Sequence, residues 1–301
     1  VYRNIDCHYG YDYNIDGVTT YTTILFAGKN ISIQNVTMKG ALRVLSIRND
    51  APELRGKVII NNINIEATTG DFYILSYLTA SLSFDFGRTI MNPDHVSITN
   101  IKIKKSDGIP YILQIPANRN YAQRQWGTIF VQNIDCREAN GAGFHVTRAS
   151  WSGKAGNITV RDIYLKDGSP FQANMRTYEN TLDEARMFDL TLDNIQGELF
   201  LRVDSTAVRN VNVSNCLVKG IDYYFGAPPN KDWYFKNCVI DSVSARTNGL
   251  LHFSNCIFKG EITGLSDTSG RIQSSMGNIA DVGCTGHPTL NGYVNPSRFK
   301  V

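Results

Sequence analysis

The chain has 301 residues, of which 42% are hydrophobic and 19% are charged. This composition supplies enough apolar material for a large core and excludes an intrinsically disordered chain. Thirty Lys and Arg against 27 Asp and Glu leave a formal charge of +3, which is too balanced to predict nucleic-acid binding. No apolar stretch reaches the roughly 18 residues that a spanning helix needs, so we expect no insertion into a membrane.

One short phrase recurs along the chain: apolar residues alternate with polar ones, then comes an Asn, then the alternation resumes. Residues 31–38 (ISIQNVTM) are the first complete copy, and residues 58–65 (VIINNINI) repeat it. The Asn, or Asp in one copy, falls at Asn4, Asn35, Asn62, Asn100, Asn133, Asp162, Asn194, Asn215, Asn237 and Asn255. The successive intervals are 31, 27, 38, 33, 29, 32, 21, 22 and 18 residues. A fixed phrase with a variable interval indicates a constant frame that carries loops of different length.

The period-2 alternation on both sides of each Asn predicts a strand, a turn and a second strand. Asn suits the turn because it tolerates the left-handed backbone at less cost than other non-Gly residues. Its side-chain amide can also hydrogen-bond the equivalent amide one coil away, which would satisfy buried polar groups along a ladder. We therefore expect the ladder side chains to point inward, with Asn35 buried.

These features predict an all-β chain folded as a right-handed, single-stranded parallel β-helix with about ten coils and an Asn ladder. Residues 1–262 are predicted to form the β-helix domain. Residues 263–301 lack the phrase and are predicted to form a C-terminal capping or oligomerisation tail. A leucine-rich repeat would need an L-x-x-L-x-L frame, which is absent, and a β-sandwich would show no shared phrase.

A third apolar segment follows the phrase in most coils. If its apolar members point inward, the outward row is Arg43, Tyr73, Gln114, His145, Gln172 and Arg202. Neighbours in such a row lie about 4.8 Å apart, a spacing suited to an extended chain of hydroxyl groups. An ordinary solvated sheet face would show the same residue types. Trp126 lies in a loop and is a candidate for stacking on a sugar, whereas Trp233 takes an apolar slot of the phrase and is expected in the core.

Three of the six cysteines directly follow a ladder Asn: Cys216, Cys238 and Cys256. Successive coils would stack them, since they occupy equivalent positions. Small buried thiols pack well in such a column. Disulfides between coils stay open. No cysteine lies in a C-x-x-C pair, so we predict neither a metal nor another cofactor.

The laddered phrase over residues 2–258, the uneven loops on one side and the non-repetitive tail resemble the pectate-lyase-like β-helix superfamily. Within that superfamily the chain is most similar to bacteriophage tailspikes. The Asn-Thr-Asp, Asp-Asp, Gly-His-Gly and Arg-Ile-Lys motifs of polygalacturonases are absent, and no calcium-binding Asp cluster of the pectate-lyase kind stands out. The resemblance implies a homotrimer on the extracellular virion that binds and cleaves a bacterial surface polysaccharide, either capsule or O-antigen.

Hydrolysis of a glycan needs an acid and a base or nucleophile that flank the scissile bond. Glu138 and Asp167 each lie five residues past their ladder residue in consecutive coils, so we expect them side by side. Glu198, four residues past its ladder Asn, could pair one coil further on. His145 is the histidine of the outward row and a candidate base. Each carboxylate also fits an ordinary solvated turn.

Two other functions stay open. A non-catalytic adhesin would use the same outward row only to hold the glycan. A polysaccharide lyase would need a base with a neighbouring cation to neutralise a uronate, and His145, Arg148 and Lys166 are its candidates.

Overall fold

The structure is a computed structural model that describes part of the chain. The described residues are 13–17, 19–20, 24–26, 30–39, 43–48, 56–67, 72–78, 90–91, 94–104, 109–115, 124–125, 127–148, 156–177, 188–205, 208–222, 232–241, 243–244, 250–259, 262–263, 272–274 and 279–280.

The regular secondary structure of these residues is β-strand, and the strands are joined by turns and irregular positions. In chain order the strands are β1 (Tyr13–Asp16), β2 (Thr19–Thr20), β3 (Ile24–Phe26), β4 (Ile31–Lys39), β5 (Arg43–Arg48), β6 (Lys57–Ala67), β7 (Phe72–Leu78), β8 (Ile90–Met91), β9 (His95–Ile103), β10 (Pro110–Ile115), β11 (Arg124–Gln125), β12 (Thr128–Cys136), β13 (Ala142–Arg148), β14 (Ile158–Leu165), β15 (Pro170–Thr177), β16 (Phe188–Gln196), β17 (Glu198–Ser205), β18 (Val208–Ser214), β19 (Leu217–Asp222), β20 (Asp232–Lys236), β21 (Val239–Ile240), β22 (Val243–Ser244), β23 (Leu250–Ser254), β24 (Ile257–Phe258), β25 (Ile262–Thr263), β26 (Ile272–Ser274) and β27 (Ile279–Ala280). Within this part of the chain no helix is long and apolar enough to cross a membrane.

Two long parallel sheets contain most of these strands. Sheet A runs β1-β4-β6-β9-β12-β14-β16-β18-β20-β23-β26, with β2 also paired to β4. Sheet B runs β3-β5-β7-β10-β13-β15-β17-β19-β21-β24-β27. Small two-stranded parallel sheets join β8 to β11 and β22 to β25. The chain therefore alternates between sheets A and B and advances by one strand spacing at each return. This all-β arrangement is consistent with a parallel β-helix.

The core lies between the two sheets and is built from columns, each of which contains the residues paired from strand to strand along a sheet. One buried column contains Ile31, Val58, Val96, Ile129, Ile158, Leu190, Val211, Trp233 and Leu251. Trp233 is 0% exposed, which confirms its expected place in the core. Because parallel strands stack equivalent residues, the repeated apolar slots of the phrase become continuous apolar stacks.

Each ladder residue from Asn35 onward adopts the left-handed backbone that the sequence predicted. Their φ values lie between 51° at Asn194 and 58° at Asn133. A left-handed residue shifts the inside-outside alternation by one position. The residues before and at Asn35 therefore both face away from the core, while Ile33 and Val36 are both buried.

The predicted inward direction of the ladder is wrong. Asn35 is exposed, as are most other ladder residues, and only Asp162 and Asn194 are half-buried. The same left-handed turn that favours Asn also directs its side chain outward, so the ladder lies on the surface.

The ladder side chains do form hydrogen bonds from coil to coil, although they lie on the surface. Asn62 Nδ2 donates to Asn35 Oδ1 at 2.6 Å, and Asn133 Nδ2 donates to Asn100 Oδ1 at 2.6 Å. Two coils depart from strict repetition: Asn100 donates to Asn61 Oδ1 at 2.8 Å, and Asn215 donates to Asp193 Oδ1 at 2.7 Å. In these two coils the residue just before the ladder position supplies the acceptor.

Four cysteines are described, and all four are buried thiols that form no disulfide: Cys136, Cys216, Cys238 and Cys256. The predicted column in successive coils is confirmed, because Val239 N donates to Cys216 O and Ile257 N donates to Cys238 O, both at 2.9 Å. The thiols donate to backbone carbonyls of nearby strands, as Cys216 Sγ does to Ser214 O at 3.0 Å. Cys7 and Cys284 lie outside the described residues.

The sheets continue beyond residue 262. β26 pairs with β23 in sheet A, and β27 pairs with β24 in sheet B. Most of 263–301 lies outside the described residues, so its capping or oligomerisation role stays a prediction.

Substitutions at Asn133 separate the backbone role of a ladder residue from its hydrogen bond. Asn133→Gly keeps the positive φ and loses the hydrogen bond to Asn100, so it should cost about 1 kcal/mol. Asn133→Ala also forces a Cβ into the left-handed region and should cost about 1–2 kcal/mol more. Denaturant unfolding of both variants measures the difference. Equal losses would show that the left-handed backbone is not what selects Asn here.

The four described thiols should be unreactive in the folded chain, because burial keeps reagents away from Cys136, Cys216, Cys238 and Cys256 alike. Burial raises the pKa of Cys216 to about 12, so at pH 8 its thiolate fraction is on the order of a thousandfold below that of a free cysteine. Iodoacetamide treatment followed by peptide mass spectrometry should label Cys136, Cys216, Cys238 and Cys256 only after denaturation. Native labelling of Cys216 at the rate of a free thiol would contradict its burial.

Candidate functional site

The register of sheet B divides the predicted outward row into two columns of paired residues. Gln114, His145 and Arg202 share one column, in which Asn174 lies between His145 and Arg202. Tyr73 and Gln172 belong to the neighbouring column.

This neighbouring column contains Arg43, Tyr73, Tyr111, Gly143, Gln172, Phe200 and Gly220. The prediction of one shared row is therefore wrong. An irregularity in β10 between Tyr111 and Leu113 places Ile112 and Leu113 both in the core, which shifts Gln114 to the next column.

The structure describes these side chains unevenly. Gln172, Asn174 and Arg202 are half-buried. For Tyr73, Gln114 and His145 only the backbone position is described, and Trp126 lies wholly outside the described residues.

A line of charged residues follows the boundary where the chain passes from sheet A to sheet B. We call it the charged edge. Its members are Arg137, Glu138, Lys166, Asp167, Glu198, Lys219 and Asp241.

Glu138 and Asp167 occupy equivalent positions in consecutive coils. Cys136 pairs with Leu165 before the turn, and Ala142 pairs with Phe171 after it. Both turns therefore contain the same number of residues, and both carboxylates are exposed. The expectation that they are neighbours in adjacent coils agrees with this register; their catalytic role stays a prediction.

The surroundings of Glu138 are strongly polar. Arg137 forms a two-pronged ion pair with Asp135, with Nε to Oδ1 at 2.9 Å and Nη2 to Oδ2 at 2.8 Å. The hydrogen bonds from Arg137 hold the pKa of Asp135 below its ordinary value. The guanidinium carbon of Arg137 also lies 6.0 Å from the centre of the Tyr164 ring in the next coil. Arg137 is thus occupied by its neighbours, while Glu138 makes no ion pair with a described residue.

Glu198 belongs to an ion cluster of three consecutive coils. Lys219 Nζ lies 2.5 Å from Asp241 Oδ2 and 3.7 Å from Glu198 Oε1. The hydrogen bond to Asp241 is the largest cause that raises the pKa of Lys219 above its ordinary value. One lysine therefore neutralises much of the charge of both carboxylates, which fits a role in positioning better than a role in proton transfer.

Sequence reasoning missed Lys219 and Asp241, although a signal for both exists. Glu198, Lys219 and Asp241 each lie four residues past a ladder Asn. The same offset that drew attention to Glu198 finds the other two, which carry charges of opposite sign in successive coils.

Phe200 places an apolar surface beside this cluster. It is 39% exposed, and its ring lies against Gly220 in the next coil, where an added Cβ would come within 3.0 Å of Phe200 Cδ1. Glycine at that position leaves room for the ring. An exposed ring among hydrogen-bonding side chains is the usual composition of a sugar-stacking surface.

No family model, no curated protein and no solved structure matches this chain. In the described part of the chain, no group of three or more His, Cys, Asp and Glu side chains is placed to hold a metal ion. The function of the chain is therefore inferred from the residues of the charged edge and of the two columns of sheet B.

The Lys219–Asp241 pair should be visible in the response to alkaline pH. The pKa of Lys219 is raised in the folded chain, so the pair's contribution is fully present below about pH 10.4 and is lost as pH rises through the folded-state pKa. Asp241→Asn should lower that pKa toward its ordinary value and reduce stability near neutral pH by no more than about 1 kcal/mol. The titration of the Lys219 Cε signal by NMR measures the shift.

Asp167→Asn is the matched control, because Asp167 makes no ion pair with a described residue. It should leave the Lys219 titration unchanged. An unchanged titration in Asp241→Asn would mean that Asp241 does not hold Lys219 in solution.

Proposed function

We propose that this chain is the receptor-binding and depolymerising domain of a bacteriophage tailspike, built as a right-handed parallel β-helix of about ten coils. It binds a bacterial surface polysaccharide, capsule or O-antigen, and hydrolyses it internally. In this proposal the chain acts as a homotrimer in the extracellular part of the virion. The observation that carries the proposal is the equivalence of Glu138 and Asp167 in consecutive turns, beside two columns of hydrogen-bonding residues.

The two columns of sheet B provide the binding surface. Asn174 and Arg202 lie one strand spacing apart, about 4.8 Å, and His145 and Gln114 continue that column. A glycan along the solenoid axis would meet a new hydrogen-bonding group at each coil. Phe200, in the neighbouring column, offers apolar area to a sugar ring.

The chemistry proposed for Glu138 and Asp167 is general acid–base or nucleophilic hydrolysis. One carboxyl group protonates the glycosidic oxygen, and the other attacks the anomeric carbon or activates a water molecule. Carboxyl groups about 5–5.5 Å apart would retain the anomeric configuration, and groups about 6.5–9.5 Å apart would invert it. Glu198 is paired with Lys219, so we propose that it orients the substrate, with His145 as a second candidate base.

One observation favours a non-catalytic adhesin as the second candidate function. Each proposed catalytic carboxylate directly follows a cation in its turn, Arg137 before Glu138 and Lys166 before Asp167. Mixed charge of this kind is also the composition of a solvated turn that only contacts the glycan.

Incubation with a panel of capsular and O-antigen polysaccharides tests the function. We expect one glycan to lose molecular mass in size-exclusion chromatography while new reducing ends appear. Glu138→Gln and Asp167→Asn should each lower turnover by about 10²–10⁴-fold while binding survives, because proton transfer or nucleophilic attack is lost and the sheet B columns remain.

Glu66→Gln is the matched control, because Glu66 lies four residues past its ladder Asn in an earlier coil and pairs with Lys39. It should leave turnover unchanged. Binding without loss of mass would leave the adhesin, and unsaturated uronate absorbance would indicate a lyase. Cleavage by both amide variants at the wild-type rate would exclude this carboxylate pair.

A further inference from the structure

A second cluster of functional side chains lies on the outer face of sheet A. Three neighbouring strands, β18, β20 and β23, bring together Asn212, Asp232, Tyr234, Lys236 and His252. Asn212 pairs with Tyr234, and Tyr234 pairs with His252. We call these five residues the Tyr234 cluster.

The centre of the Tyr234 cluster is a stacked pair of rings joined to a carboxylate. The Tyr234 and His252 ring centres lie 4.6 Å apart with planes 13° from parallel. Tyr234 Oη donates to Asp232 Oδ2 at 3.2 Å, and His252 Nε2 lies 3.9 Å from Asp232 Oδ1. Stacking and hydrogen bonding together fix the rings as a rigid surface.

The cluster does not satisfy all of its own polar atoms. His252 Nε2 is shielded from solvent and has no hydrogen-bond partner among the described residues. Lys236 is exposed and makes no ion pair with a described residue, while Tyr234 is 39% exposed. Buried polar atoms without partners are rare in folded chains, so this nitrogen is available for a hydrogen bond to a bound ligand or a water molecule.

Earlier coils show how unusual this composition is for the same column. Upstream of Asn212 the described residues of this column are small polar or apolar: Asn14, Ser32, Ile59, Ser97, Phe130, Thr159 and Thr191. Titratable side chains enter the column at Tyr234 and His252, where Asp232 and Lys236 flank them along β20.

We propose that the Tyr234 cluster is a second saccharide-binding site, selective for a sugar that carries a carboxylate. Lys236 binds the carboxylate as a charge-assisted partner. Asp232 and Asn212 contact ring hydroxyls, and the exposed side of Tyr234 packs against the sugar ring. This site goes beyond the proposed hydrolase, because it lies on sheet A and uses none of the sheet B residues.

Titration of ¹⁵N-labelled full chain with D-glucuronate and with methyl β-D-glucopyranoside tests the proposal by NMR. Glucuronate should bind with a dissociation constant of about 1 mM, at least about tenfold tighter than the neutral glucoside, and shift amide signals of β18, β20 and β23. Lys236→Gln should remove that preference, and Tyr234→Phe should weaken both sugars several-fold.

Lys57→Gln is the matched control, because Lys57 is an exposed lysine at the distant β6 end of the same sheet. It should leave glucuronate binding unchanged. No saturable shift of the three strands, or an unchanged acid preference in Lys236→Gln, would overturn the site. Glu138→Gln distinguishes this site from the proposed hydrolase site, because it should not alter monosaccharide binding to the Tyr234 cluster.

Discussion

The fold depends on one constraint: at each corner a single residue must adopt a left-handed backbone without ending the strand pairing. Among the described residues, Asn meets this constraint in eight coils and Asp in one, with φ between 51° and 58°. Because such a residue shifts the alternation by one, the apolar residues before and after the corner both reach the same core. Without that shift, the second half of each phrase would present its apolar side to solvent.

Most hydrogen bonds of the external ladder are donated in the same direction along the stack of coils, and Asp162 is the position where this pattern changes. Most ladder residues donate Nδ2 to an oxygen in the preceding coil, as Asn194 does to Asp162 Oδ1 at 2.8 Å. A carboxylate has no hydrogen to donate onward, so Gln132 donates into it from the other side at 2.9 Å. The hydrogen bonds from Asn194, Gln132 and Arg161 hold the pKa of Asp162 below its ordinary value. Asp is tolerated here because its neighbours supply the missing donors.

The sequence predicted the frame well and the surface only in part. Repetition predicted the ladder positions, the buried thiol column and the core position of Trp233, because many copies of the same phrase support each of these predictions. The outward row depended on single residues: the irregularity at Tyr111–Leu113 moves Gln114 to the second column, and the regular register of β15 places Asn174, not Gln172, beside His145. The predicted inward ladder is wrong for a different reason, because a left-handed turn residue in this fold directs its side chain outward. Lys219 and Asp241 are predictable from the sequence, since both lie four residues past a ladder Asn, as Glu198 does, and their charges alternate in sign.

Coil stacking separates the chemistry of the surface from the stability of the core. A column on the outer face of a sheet can change its residue types from coil to coil while the inner columns stay apolar. Such variation can place like charges in adjacent coils, where they lie only about 4.8 Å apart and repel each other. Along the charged edge that repulsion is reduced where signs alternate, as in Glu198, Lys219 and Asp241. Glu138 and Asp167 form no such alternation. The proposed hydrolysis would explain two carboxylates at equivalent positions of consecutive coils, in a fold that alternates charges along other parts of the same edge.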